Sequence, residues 1–240
     1  MSAHYSNPPW RTYGSGLAIP CIVPTRDVHV PDEFSIVGSL GRTLGMLVYL
    51  EYRDPSPVVH RELIWLSAIV RCKDRAYRTP EGIGPMYYVA RMYGDSDLAI
   101  DAARKEWSLP KTYAHFRRQG NSIDVRADDG THVAFSWKPR RFTFRAPTEI
   151  ATLQKGFGRI VCFRASGRAE VQLATYRMDA FETEQPEWEG FRRRLVLPGV
   201  ASLVRSFEST VRAPVEMTRR LESMAPAAAP SLVRLRTESV

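Results

Sequence analysis

The run Ala103-Arg104-Lys105-Glu106-Trp107-Ser108-Leu109-Pro110-Lys111-Thr112 closes one element and opens the next. Upstream of it, Ser96 follows Asp95 as a candidate N-cap, and Leu98, Ala99, Ala102 and Ala103 recur at helical spacing. Pro110 cannot continue that helix, and a residue before proline avoids the helical region. Leu109 is therefore expected to leave the helix and deliver Lys111 on a rigid turn or extended segment. Trp107, Leu109, Tyr113 and Phe116 surround that lysine in sequence with apolar surface.

Around this helix the chain reads as strand. Period-two apolar positions run through Met46, Val48 and Leu50, through Phe142 and Phe144, through Val171 and Leu173, and through Phe207, Val211, Val215 and Met217. Two denser runs, Leu63 to Val70 and Met86 to Ala90, have the continuous apolar character of strands covered on both faces. The pattern predicts an α+β protein, predominantly antiparallel β with a few short helices.

With 240 residues, 44% hydrophobic and 25% charged, the chain has enough apolar side chain for one ordinary core. A single domain over residues 1–222 is expected. The Ala/Pro-rich stretch 223–240 reads as a flexible tail. No signal-peptide pattern opens the chain and no apolar run reaches the length of a membrane span, so a cytoplasmic protein without membrane partners is expected. Cys21, Cys72 and Cys162 are scattered and odd in number, which signals neither a disulfide framework nor a structural zinc site. No H-x-x-x-H or H-E-x-x-H spacing occurs, so no metal and no other cofactor is expected.

The formal charge of +8 and pI near 9.6 would suit an anionic partner. The densest basic clusters, Lys138-Pro139-Arg140-Arg141 and Arg192-Arg193-Arg194, border strand-like or turn-like sequence rather than a recognition helix. They read as solvated edges, and no nucleic-acid partner is expected.

Arg104, Trp107, Leu109, Pro110 and Lys111 resemble the signature of the acetoacetate decarboxylase superfamily, one branch of which reads Gly-Arg-Glu-x-Trp-Gly-Leu-Pro-Lys and ends in the Schiff-base lysine. His60-Arg61-Glu62-Leu63-Ile64 resembles the upstream strand that carries an acid into the family site. The resemblance implies a barrel- or cone-like antiparallel fold, a homo-oligomer, Lys111 as nucleophile and Glu62 as proton-transfer group. It departs from the family at Ala103, Lys105 and Thr112, where the pattern has glycine, glutamate and, in true decarboxylases, a second lysine. No arginine aligns with the one that holds a substrate carboxylate, and neither Tyr77 nor Glu81 matches the second family acid.

If Lys111 acts as an amine, burial must supply its reactivity. Lowering a lysine pKa from about 10.4 to about 7 takes about 4–5 kcal/mol of differential destabilisation, within the reach of an apolar site. The resulting imine would serve decarboxylation, aldol chemistry or dehydration of a keto or polyketide-like substrate. A cyclase or dehydratase working by acid and base groups without an imine remains open, as does a small-molecule-binding protein. Glu62 has an alternative role as an ion-pair partner at a strand edge. Arg104, Trp107, His60, Trp65 and Tyr88 are the candidate substrate-binding residues, the aromatics forming the wall of a pocket for a sizeable apolar ligand.

Overall fold

The computed structural model describes residues 6–74, 77–78, 86–196 and 200–219. Its elements in chain order are β1 (Trp10–Pro24), β2 (Phe34–Val37), β3 (Arg42–Arg53), β4 (Arg61–Cys72), β5 (Tyr77–Arg78), β6 (Met86–Gly94), α1 (Asp97–Trp107), β7 (Lys111–Gln119) and β8 (Ser122–Ala127). They continue with β9 (His132–Gly156), β10 (Arg159–Glu182), α2 (Glu189–Arg192), β11 (Leu195–Val196), β12 (Ala201–Val211), β13 (Val215–Glu216) and β14 (Thr218–Arg219). The predicted tail and Glu81 lie outside the described residues.

Twelve of the strands share one sheet, and its pairings form a closed circuit: β1 to β3, β4, β6, β7, β8, β9, β10, β12 and back to β1. All steps are antiparallel except β6–β7; a single further parallel contact joins Tyr87 of β6 to Thr152 of β9. Parallel neighbours need a crossover, and α1 supplies it. The architecture is the α+β, mainly antiparallel one that the sequence pattern predicts.

Strands β1, β3, β4 and β6 are covered on both sides, which explains their dense apolar sequences. Odd-numbered side chains such as Leu17, Ile19, Leu47, Tyr49, Leu63 and Trp65 enter a large cluster closed by Phe135, Leu153, Trp188 and Phe191. Even-numbered ones, among them Val48 and Leu66, enter a second cluster with Ala99, Ala102, Ala103 and Trp107 of α1. Ser96 caps α1 as expected, its Oγ accepting from the Ala99 N–H at 3.4 Å.

Two local expectations change. The helix ends at Trp107, because Ser108 takes the left-handed conformation at φ 54° before Leu109 and Pro110 are reached. Phe142 and Phe144, read as strand-face residues, are 81% and 49% exposed. They lie in β9 beyond its β8 partner, where neither face is packed against a further layer among the described residues. The basic run Lys138 to Arg141 occupies the same open part of β9, with Lys138, Arg140 and Arg141 at or near the surface.

Trp188 is fully buried, stacks on Trp65 at 5.9 Å and packs edge-on against Phe191. Trp188→Ala should lower unfolding free energy by about 3–5 kcal/mol, read from urea midpoints at unchanged m-value.

Candidate active site

Strand register assembles the site. β3 and β4 place Tyr52 beside His60, whose carbonyl accepts the Tyr52 N–H at 2.8 Å. β4 and β6 place Glu62 opposite Gly94, and β6 and β7 place Met92 opposite Lys111 and Gly94 opposite Tyr113. Lys111 and Glu62 therefore stand on strands separated by β6, roughly two strand spacings or about 10 Å apart at the backbone. The lysine side chain bridges that gap because Gly94 has none: a Cβ there would lie 2.5 Å from Lys111 Cε.

The sharp exit from α1 aims the lysine. Ser108 occupies the position of the second glycine of the decarboxylase-like pattern, and its left-handed backbone shows why that pattern has glycine there. The Leu109 N–H returns to Ala103 O at 3.0 Å, and Arg104 Nε donates to Lys111 O at 2.7 Å. Arg104 thus fixes the backbone that carries the lysine.

Lys111 and Glu62 are 2% and 3% exposed. Lys111 Nζ donates to Glu62 Oε2 at 2.8 Å and lies 3.1 Å from His60 Nε2. Tyr52 Oη donates to Glu62 Oε1 at 2.7 Å, and its ring stacks on His60 with centroids 4.5 Å apart. His60 Nδ1 is 3.1 Å from Val58 O, a group that can only accept, so the network assigns the imidazole proton to Nδ1. His60 Nε2 then faces Lys111 with a lone pair, and the amine has two acceptors within reach.

Burial works against ionising Glu62, but the Lys111 charge outweighs it, together with the Lys111 hydrogen bond, and holds the carboxyl at about 2. Burial and then the Glu62 charge push the Tyr52 phenol well above its ordinary value, so it stays a hydrogen-bond donor. The lysine is buried, yet an apolar wall is not its whole environment, because a carboxylate compensates its charge.

These groups form one end of a cavity of about 150 Å³ whose remaining wall includes Trp10, Val48, Leu66, Val89, Met92 and Trp107. That volume suits a ligand portion of about benzene size. It is smaller than the pocket expected for a sizeable ligand, and the aromatic residues proposed to line it do not all face it. His60 and Trp107 do. Trp65 points to the opposite face of β4, where it stacks on Trp188, since neighbouring residues of a strand alternate sides. Tyr88 packs edge-on with Phe34 in that same cluster, and Arg104 lies outside the wall. Glu62 does ion-pair, but with Lys111; Arg61 turns the other way to Asp95 and Glu51. Tyr52, absent from the sequence-based candidates, continues the Val48 and Leu50 alternation by one more step into the site. His115 is exposed on β7.

Among the described residues no group of three His, Cys, Asp or Glu side chains could hold a metal ion, and no helix is long and apolar enough to cross a membrane.

The chain has the acetoacetate decarboxylase fold in a divergent sequence. An acetoacetate decarboxylase superimposes with TM-score 0.56 and 13% identity, covering 90% of this chain and 93% of that one. The enduracididine biosynthesis enzyme MppR, solved with pyruvate, gives 0.62 and 13% over 91% and 93%. An acetoacetate decarboxylase-like enzyme from Sphingomonas wittichii RW1 gives 0.55 and 11% over 91% and 97%. In sequence the chain is 26% identical over 200 residues to Protein NEOXANTHIN-DEFICIENT 1 of Arabidopsis thaliana, covering 82% of this chain. The match spans 65% of that relative's length, just under two thirds. No protein-family model matches the chain.

Two outcomes follow from this geometry. Gly94→Ala should displace the Lys111 side chain and cost about 1–3 kcal/mol in urea unfolding, and the same change made in a Glu62→Gln/Lys111→Ala background, which has no lysine side chain to displace and no lone buried charge, should cost less. Because Glu62 is ionised more readily folded than unfolded, its contribution to stability is present above about pH 4.5 and is lost as pH falls toward about 2. The double variant Glu62→Gln/Lys111→Met leaves no lone buried charge, and its stability should fall less steeply over that window.

Proposed function

We propose that this protein is a lyase that acts on a keto or polyketide-like substrate through a Schiff base at Lys111. The observation that carries this reading is the buried Lys111 amine at a cavity wall, 2.8 Å from a carboxylate and 3.1 Å from an imidazole lone pair. Its resemblance to the Schiff-base position of acetoacetate decarboxylases and its setting in that fold support it.

In this reading His60 Nε2 accepts a proton from Lys111, and the imidazolium so formed is balanced by Glu62 Oε2 at 3.3 Å. The amine attacks the carbonyl carbon, His60 returns its proton to the carbinolamine hydroxyl, which leaves as water, and a protonated imine replaces the ammonium beside Glu62. Charge at this point is conserved, so the carboxylate that balanced the lysine balances the iminium. Electrons released from the adjacent carbon then flow into the C=N bond, and Glu62, fixed from its other oxygen by Tyr52, takes or returns the proton. A homo-oligomer is part of the same proposal.

The pairing of Lys111 with Glu62 and His60 also favours a second reading, in which the same groups act as acid and base in a cyclisation or dehydration without an imine. Borohydride separates the two. Incubation with a methyl ketone and borohydride should add the mass of the reduced adduct to the wild-type protein and add nothing to Lys111→Arg. An adduct that persists in Lys111→Arg overturns the assignment of the lysine. Turnover that survives Lys111→Arg but is lost in Glu62→Gln selects the acid and base reading. Ligand binding with no turnover by any preparation selects a binding protein.

A further inference from the structure

The cavity wall limits which carbonyl compound the site takes. Its ionisable groups are Lys111, Glu62, His60 and Tyr52, and the Lys111 charge is already matched by Glu62. Among the described residues no arginine lines it. Arg104, the nearest upstream of the lysine, is turned back to the Lys111 carbonyl, Arg117 downstream is exposed, and Arg11 lies at the surface with Glu208. A substrate carboxylate would therefore share an apolar cavity with the Glu62 carboxylate and meet no cation of its own. Burying an unmatched charge of this kind is strongly unfavourable.

A second observation concerns Thr152. It is 3% exposed, lines the same cavity from β9 and has no hydrogen-bond partner for its Oγ1 among the described residues. The other neutral hydroxyls on the wall are engaged: Thr12 Oγ1 donates to Ser209 O at 3.3 Å, and Tyr52 Oη to Glu62. Buried hydroxyls are ordinarily hydrogen-bonded, so Thr152 Oγ1 is left with an unmet donor and acceptor in the wall beside the cavity.

We propose that the substrate is an uncharged, largely apolar carbonyl compound bearing a second oxygen, a hydroxyl or another carbonyl, which hydrogen-bonds to Thr152 Oγ1. This deepens the reading of the site given above and rests on it for placing the reacting carbonyl at Lys111. It sets this cavity apart from one built for a β-keto acid, and directs the imine toward aldol or dehydration chemistry of a neutral compound rather than loss of carbon dioxide.

The test uses a pair of equal shape. Heptane-2,4-dione and 3-oxohexanoate differ in carrying a methyl ketone or a carboxylate at one end, and heptan-2-one lacks the second oxygen. Binding to the full chain is read from the fluorescence of Trp10 and Trp107, which line the cavity. At pH 7 the dione should bind at least about tenfold more tightly than the keto acid. Thr152→Val should weaken the dione by about tenfold and leave heptan-2-one unchanged, and Thr152→Ser should restore the dione. A keto acid that binds as tightly as the dione, or no fluorescence change with any of the three, overturns the proposal. Equal effects of Thr152→Val on both ketones overturn the assignment of Thr152. Preferential dione binding without a borohydride adduct would sink the imine reading and leave this one standing.

Discussion

The ion pair between Lys111 and Glu62 is the constraint around which the site is built. Each group alone would be a lone charge in an apolar cavity, a cost of several kcal/mol, and together they offset one another. Their pairing demands that three strands align so that a glycine sits between lysine and carboxylate. It also demands that His60 accept from the amine and Tyr52 donate to the carboxylate, at the hydrogen-bonding positions the pair leaves over. In the proposed chemistry the same carboxylate would balance a protonated imine formed where the ammonium was, since the two cations carry the same charge.

What allows a buried pair to be held so closely is the closed circuit of strand pairings. β3, β4, β6 and β7 are linked on both sides, and β3, β4 and β6 are covered on one face by the cluster that holds α1 and on the other by the cluster that holds Trp188 and Phe191. A strand packed on both faces cannot slip by one residue without exchanging its two sets of side chains. Glu62, Ile64 and Leu66 thus stay directed at the cavity, and Leu63 and Trp65 at the core. The rigidity that orients the lysine comes from its neighbours' apolar packing more than from the short turn at Ser108 to Pro110.

The helix, the strand-rich architecture, the two dense strands and the resemblance at Lys111 and Glu62 were legible because each depends on local pattern or on a contiguous motif. The neighbourhood of Trp65, Tyr88 and Arg104 was not. Trp65 is as apolar in sequence as Ile64, and only the phase of the strand relative to α1 tells them apart. Tyr52 was within reach of the alternation that begins at Met46, but its function depends on Glu62, ten residues later and across a loop. Phe142 and Phe144 carry the alternation of a packed strand on a stretch where the fold supplies no second layer.

By itself the sequence determined the element types, the helix start at Ser96, and the delivery of Lys111 after a proline, since propensity, capping and the proline ring act over a few residues. The tertiary structure decided that Gly94 opens the path from Lys111 to Glu62, that His60 presents a lone pair to the amine, and that Thr152 lines the cavity with no partner for its hydroxyl among the described residues. These are outcomes of register between strands distant in the chain. Register is set by which apolar faces find cover, and that is a property of the whole folded sheet rather than of any one segment.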